Sequence, residues 1–480
     1  MLSKLFSRGR IDPVMLRLLL LLSAAWSLEA QDWPMWGGTV SRNMVSKASG
    51  LPSSWDRKTG RNIRWQSKLG TTSYGNPVIS GGKVFVGTNN GNPRNPDIRG
   101  DKGILMCFRE SDGQFLWQMV SDKLESGKGN DWPEQGVCSS PAVDGKFLYY
   151  VTNRGELLCL DTEGFLDGRN DGPFQGERYH GPIDGDIVWN LDMMKELGVF
   201  PHNMANSSPA VWGDLVFLIT SNGHDESHRN IPSPQAPSFL AVHRKTGKVA
   251  WKDSSPGNRI LHGQWSSPSI GQAGGRWQAF FPGGDGWLYG FDALTGEKLW
   301  SFDLNPKDAV WPRTRNDGIA TPVIQDGQVF LAIGQDPENG EGIGHMYCID
   351  GSGRGDITEA GRVWRFDEIR RSLSTAAVLD GLVFISDFSG FFYCLDRKTG
   401  KPHWSYDMLG AVWGSPLAAD SKVYLGDEDG DVIVLEAGKE LKKIAENSMG
   451  AAVYSTPVAA NGALYIATPS ALYAIAGSGK

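Results

Sequence analysis

The residues of this chain whose types could hold a ligand fall in six short segments, 133–136, 202–206, 262–265, 313–317, 370–372 and 412–414. Glu134, Asn203, Asn206 and Asp317 offer oxygen ligands to a hard cation such as calcium. Arg313, Arg315 and Arg371 offer guanidinium forks to carboxylates. Trp265 and Trp413 offer stacking planes, and His262 sits close before Trp265. Together they suit a flat, polyanionic guest held partly through a metal. The plainer expectation is that polar loops of this kind tie neighbouring structural units together by hydrogen bonds. Other segments carry weaker signals. The run from Asp167 to Gly172 resembles a calcium loop, but Arg169 stands at its third position and Arg178 at its twelfth, so it reads as a structured turn. The acidic run Asp427–Asp431 reads as a solvated turn. His224 and His228 share one loop with Asp225 and Glu226, which reads as a solvated loop tip rather than a metal site. No nucleophile elbow, phosphate loop or dinucleotide fingerprint is present.

What must position these segments is a repeat. Leu288 to Trp300 alternates as a buried strand, turns through Asp292 to Gly296, and resumes as a strand ending in Trp300. Related units end at Trp117, Trp189, Trp251, Trp364 and Trp404. Before each unit comes a small or hydroxyl residue, usually followed by Pro, then an apolar pair, a glycine turn and an apolar strand. Copies start at Asn76, Ser140, Ser208, Ser267, Thr321, Thr375, Ser415 and Thr456. The turns between the first two strands are tight, except for a longer one expected at Gly271–Gly275. Each repeat thus holds four strands, A to D, and four-stranded units repeated around an axis make a β-propeller. The predicted fold is all-β with eight blades.

The last repeat stops after its third strand at Ile475, while Asp56 to Trp65 supplies a turn and a fourth strand with no first three. The simplest closure makes residues 62–65 the outer strand of blade eight. Insertions between strands B and C are expected in blades one (89–102), three (222–237) and five (334–345), building up one face. Blade two carries its insertion between C and D, at 163–186, on the opposite face. Four of the five cysteines, Cys107, Cys159, Cys348 and Cys394, occupy one slot that elsewhere holds Ala, Gly or Val. They are expected as small buried hydrophobes rather than disulfide partners.

The chain of 480 residues carries a net charge of −7 without a cluster of Lys and Arg, which argues against nucleic acid as partner. Its 61 glycines and 18 tryptophans suit many turns and large aromatic wedges. Residues 1–30 have a basic start, the short apolar run Leu18–Leu22 and a small-residue exit, the pattern of a secretory signal peptide. The first cysteine is Cys107, so no lipid anchor is expected at the cleavage site. The division expected is signal peptide 1–30, arm and lead-in 31–61, propeller 62–476 and tail 477–480.

The Asp-x-x-Thr-Gly-x-x-x-Trp pattern of Asp292–Trp300 resembles the quinoprotein propeller repeat, named for pyrroloquinoline quinone (PQQ), over essentially all of residues 33–475. The opening Asp32-Trp33-Pro34-Met35-Trp36-Gly37-Gly38 with Arg42-Asn43 is similar to exported, propeller-only members of that superfamily. The resemblance implies either a scaffold like that of the bacterial outer-membrane assembly machinery, or a PQQ-dependent dehydrogenase. The second branch typically stacks its quinone under a Cys-Cys pair, and haem-fused members carry Cys-x-x-Cys-His; neither is present here. The expectation is therefore an exported, periplasmic or envelope-associated monomer that binds a protein or other macromolecule through its loop-rich face without catalysis. The alternative is an oxidoreductase using PQQ and calcium in the axial funnel, held by Glu134, Asn203, Asn206, His262, Trp265, Arg313, Arg315, Asp317, Arg371 and Trp413.

Overall fold

The computed structural model describes residues 31–477; the expected signal peptide lies outside them. Eight sheets of four main strands follow one another, as the repeat predicts. In chain order the innermost strands A are Val78–Ser80, Ala142–Asp144, Ala210–Trp212, Ser269–Ala273, Val323–Gln325, Ala377–Leu379, Leu417–Ala419 and Val458–Ala460. All sheets are antiparallel from A to D. Blade eight is completed by Ile63–Lys68, which pairs antiparallel with Ala471–Ile475 and so closes the ring with the N-terminal strand. Closure leaves no unpaired edge on that last strand.

The repeat motif is an interlocking device. Asp292 Oδ1 accepts the backbone N–H groups of Leu294 and Thr295 and the Thr295 hydroxyl, which sets the C–D turn. Gly296 then takes φ +72°, and its α-carbon lies against Trp251 of the preceding blade. Gly247 meets Trp189 and Gly400 meets Trp364 in the same way. Each of those indoles also donates Nε1–H to a carbonyl in the next blade's turn: Trp189 to Arg244, Trp251 to Ala293, Trp364 to Arg397. Trp300 differs, donating to Gln278 Oε1 at 2.8 Å, while the Gln278 amide donates on to Gly351 of the next blade. The cysteine slot now has its cause. Cys107, Cys159, Cys348 and Cys394 sit directly across from Trp117, Trp189, Trp364 and Trp404, where only a small side chain leaves room for the indole. All five cysteines are free.

Around the axis, at six of the eight junctions, the hydroxyl or amide just before strand A accepts the matching backbone N–H of the preceding blade. Asn76 donates to Ser140, Ser140 to Ser208, Ser208 to Ser267, Thr375 to Ser415, Ser415 to Thr456 and Thr456 back to Asn76, at 2.6–3.2 Å. Buried backbone donors at the lead-ins are thereby satisfied from blade to blade.

Three features go beyond the sequence reading. The A–B turn of blade four is not long: strand A runs to Ala273, and Gly274-Gly275 make a tight turn with φ +57° and +74°. Strand geometry absorbs Gly271, whose missing side chain leaves space for Ile324. Between strands C and D of blade five, Gly355–Asp356 adds a fifth strand to the edge of blade four, parallel to it. Residues 33–52, read only as an arm, cross the inner strands and bond to every blade. Trp33 pairs with Ile79, Pro34 accepts from Val143, Val40 from Ile270 and Ser41 from Ile324. Asn43 exchanges two bonds with Val378, Val45–Ser46 pairs with Ala418–Ala419, and Ser46 donates to Ala459. The remaining blade is reached by Arg42, whose fully buried guanidinium donates to the carbonyls of Ser208, Pro268 and Trp36.

Candidate functional site

The residue three places before the start of each strand A's Pro position points toward the axis on the loop-bearing side. In blade order these are Tyr74, Cys138, Asn206, Trp265, Ile319, Leu373, Trp413 and Tyr454. The first seven line one cavity of about 370 Å³, with Trp132, Gln135, Asn203, Met204, Asp336, Pro337 and Glu338. Tyr454 stacks on Tyr74 with ring centroids 5.0 Å apart and meets Trp413 edge-on at 5.5 Å. The repeat thus delivers one side chain per blade to a shared axial site, and four of the eight are aromatic. Asp336 and Glu338 reach it from the blade-five B–C insertion.

Of the residues singled out from sequence, Asn203, Asn206, Trp265 and Trp413 meet at this cavity. The others are placed elsewhere. Glu134 is exposed beside a separate depression with Asn89 and Asp101, and its backbone N–H bonds the Asp101 carboxylate. Arg315 is paired with Asp303 at 3.2 Å and donates to the Asp285 carbonyl. Arg371 is buried and donates to Asn316 Oδ1 and to the carbonyls of Pro312, Arg313, Asn339 and Gly340, knotting the lead-in of blade five to its B–C insertion. Arg313 is exposed. Asp317 is fully buried and neither carboxyl oxygen has a protein partner; burial, with Asp336 nearby, raises its pKa well above the usual range while Arg371 opposes the shift. His262 packs against Trp265 edge-on at 5.2 Å and joins His202 and His228.

The sequence reading passed over Tyr74, Trp132, Asp336 and Glu338. Tyr74 and Tyr454 were within reach, because they hold the same repeat position as Trp265 and Trp413. Asp336 and Glu338 were not, since nothing in a loop's composition says that it folds inward.

The electrostatic character of the cavity follows from its lining. Its charged side chains are two carboxylates, and burial raises the pKa of Asp336. Arg315 is engaged with Asp303 and Arg371 with backbone carbonyls, while Arg313 is exposed and does not line the cavity.

Fold and cavity together define a quinoprotein-type, eight-bladed propeller with an axial site. The family model described as outer membrane protein assembly factor BamB matches residues 182–355 and 353–475, more than half of the chain, and the chain belongs to that family. No curated protein matches it significantly. Among solved structures, BamB from Moraxella catarrhalis is 15% identical with a TM-score of 0.54, over 86% of this chain and 97% of that one. A europium-containing methanol dehydrogenase is 12% identical with a TM-score of 0.65, over 94% and 98%. The quinohemoprotein alcohol dehydrogenase of Comamonas testosteroni is 13% identical with a TM-score of 0.61, over 98% and 83%. At these identities the likeness is one of fold. Among the described residues, no helix is long and apolar enough to cross a membrane.

Proposed function

We propose that the protein is an exported, non-catalytic propeller of the cell envelope that binds a partner protein through the face carrying its axial cavity. One observation carries this reading. The cavity presents Tyr74, Trp132, Trp265 and Trp413 with only the acidic Asp336 and Glu338 as charged lining. Such a lining suits an apolar or cationic group of a partner, because aromatic faces and carboxylates both attract cations. It does not suit a tricarboxylate quinone, whose charges would meet carboxylates while Arg315 and Arg371 stay engaged elsewhere. Of the oxygen donors expected to hold calcium, Glu134 and Asp317 do not line the cavity with Asn203 and Asn206, so the ligand set expected from sequence is not assembled. The family's own description, an outer-membrane assembly factor, favours the same side.

The test adds PQQ with calcium to the purified protein. Binding-only function expects no rise in Tm and no quinone absorbance eluting with the protein. In cells, a photo-crosslinker at Glu338 should give a discrete protein adduct, and one at Lys442, on a C–D turn of the opposite face, should not. Quinone that co-elutes with the native protein but not with Trp265→Ala would transfer the assignment to an oxidoreductase.

A further inference from the structure

Directly behind Trp265 three imidazoles converge. His202 comes from the lead-in of blade three, His262 from that of blade four, and His228 from the blade-three B–C insertion. One nitrogen from each lies within 4.8 Å of the other two. The rings are 4.4 to 4.8 Å apart between centroids. His202 Nδ1 lies 2.8 Å from the His224 carbonyl. A carbonyl only accepts, so Nδ1 carries the proton and Nε2 is left with a lone pair. That Nε2 is buried and has no protein partner, and His202 is fully buried. A ring nitrogen fixed by a backbone carbonyl with the other free is how metal-binding histidines are held. His262 Nε2 stands 2.7 Å from His228 Nδ1, and its own Nδ1 is also buried without a partner. Two buried imidazoles, each with an unpartnered ring nitrogen, converging on a third are an unusual arrangement unless something bridges them.

We propose that His202, His228 and His262 form a binding site for a divalent transition metal of the zinc type, with a fourth position left to water or to a donor from outside the chain. All-nitrogen ligation selects borderline metals such as Zn²⁺, Co²⁺ or Ni²⁺ over calcium or a lanthanide. Zinc–nitrogen distances of about 2.0–2.1 Å put tetrahedral ligand atoms roughly 3.3 Å apart. The close His262–His228 pair therefore opens slightly and the longer separation closes, a change the exposed His228 can make. Burial holds His202 and His262 neutral, with pKa values lowered to about 4 and about 3, so neither needs to lose a proton before binding near neutral pH. The site shares a wall with the axial cavity: Trp265 lines that cavity and donates Nε1–H to the His202 carbonyl at 3.1 Å. The Asp336 carboxylate on the cavity wall interacts with His228. A bound dication would add positive charge one side chain behind an otherwise acidic lining, whatever the cavity itself receives.

The full chain, stripped with a chelator and titrated with Co²⁺, should bind one equivalent with the strong visible band of a tetrahedral nitrogen-ligated ion, displaced by Zn²⁺. His228→Ala, on an exposed loop, should keep the native circular dichroism and weaken Co²⁺ binding at least tenfold. His262→Asn should abolish the band, and His180→Ala, far along the chain in another loop, should leave it unchanged. Failure of stripped native protein to bind Co²⁺, or a band that survives both His228→Ala and His262→Asn, overturns the proposal.

Discussion

The indole of Trp251 lies against the α-carbon of Gly296 in the next blade, so close that a Cβ there would fall 2.6 Å from the ring. The Asp-x-x-Thr-Gly-x-x-x-Trp motif is thus a statement about neighbouring blades rather than about one hairpin: its Gly receives the previous Trp, and its Trp reaches the next turn directly, as Trp189, Trp251 and Trp364 do, or through Gln278, as Trp300 does. Gly296→Ala should destabilise the protein by about 2–4 kcal/mol, from strain at positive φ plus overpacking. Gly275→Ala, with φ +74° but open space around it, should lose only about 1 kcal/mol. Urea midpoints of the two variants measure the difference, and equal losses would remove the inter-blade contact from the explanation.

Arg42 ties the arm to blades three and four through charge-assisted bonds to backbone carbonyls. Arg42→Met keeps bulk but leaves the carbonyls of Ser208, Pro268 and Trp36 without that donor. A loss of about 3 kcal/mol is expected. Limited proteolysis should then cut within residues 33–52 while the blades resist, and a pattern identical to the native protein's would argue that the arm holds without it.

Closure by Ile63–Lys68 predicts the behaviour of a shortened chain. A protein beginning at Leu69 exposes Ala471–Ile475 as an unpaired apolar edge. It should elute as larger species than the full chain, and a peptide of residues 31–68 added during refolding should restore the full chain's elution. A shortened chain that elutes like the full chain with native thermal stability would show that the N-terminal strand is dispensable.

Acid should weaken the fold through the histidine cluster. His202 and His262 have pKa values of about 4 and about 3 in the folded protein, chiefly because they are buried, against about 6.5 when unfolded. Below about pH 6.5 the unfolded chain takes up protons that the native state refuses, so stability is full above that pH and falls as the pH drops toward 4. The slope of ΔG against pH in this window should be shallower in His262→Gln. An unchanged slope would mean that other groups, such as buried carboxylates, control the acid limb.

Much of this architecture was legible in the chain. Period-2 alternation, Asx–Gly turns and a recurrent Trp are local signals, and eight copies of a local signal specify eight blades without knowledge of any contact between them. The orphan strand at 62–65 revealed closure because a repeat missing its last strand must find it somewhere. The small-residue slot identified the buried cysteines, although its cause, the indole opposite, appeared only with the strand register.

The site was legible in part, and the division has a physical reason. Trp265 and Trp413, named as aromatic residues at strand-A entries, line the cavity, while Tyr74 and Tyr454 at the same repeat position were passed over, because only the tertiary structure shows that this position faces the axis. Arg315, Arg371 and Glu134 were of the right type but are engaged with Asp303, backbone carbonyls and a separate depression, since a long side chain can reach several partners and composition does not choose among them. The loop holding His224 and His228 read as solvated; in three dimensions His224 bonds the Ile260 carbonyl, and His228 meets two histidines from separate lead-ins. By itself the sequence determined the repeat, the blade count and the closure, because those rest on periodic short-range interactions. Which loop side chains meet at the axis was decided only by the tertiary structure, because ring closure brings together residues that lie far apart in the chain and share no pattern.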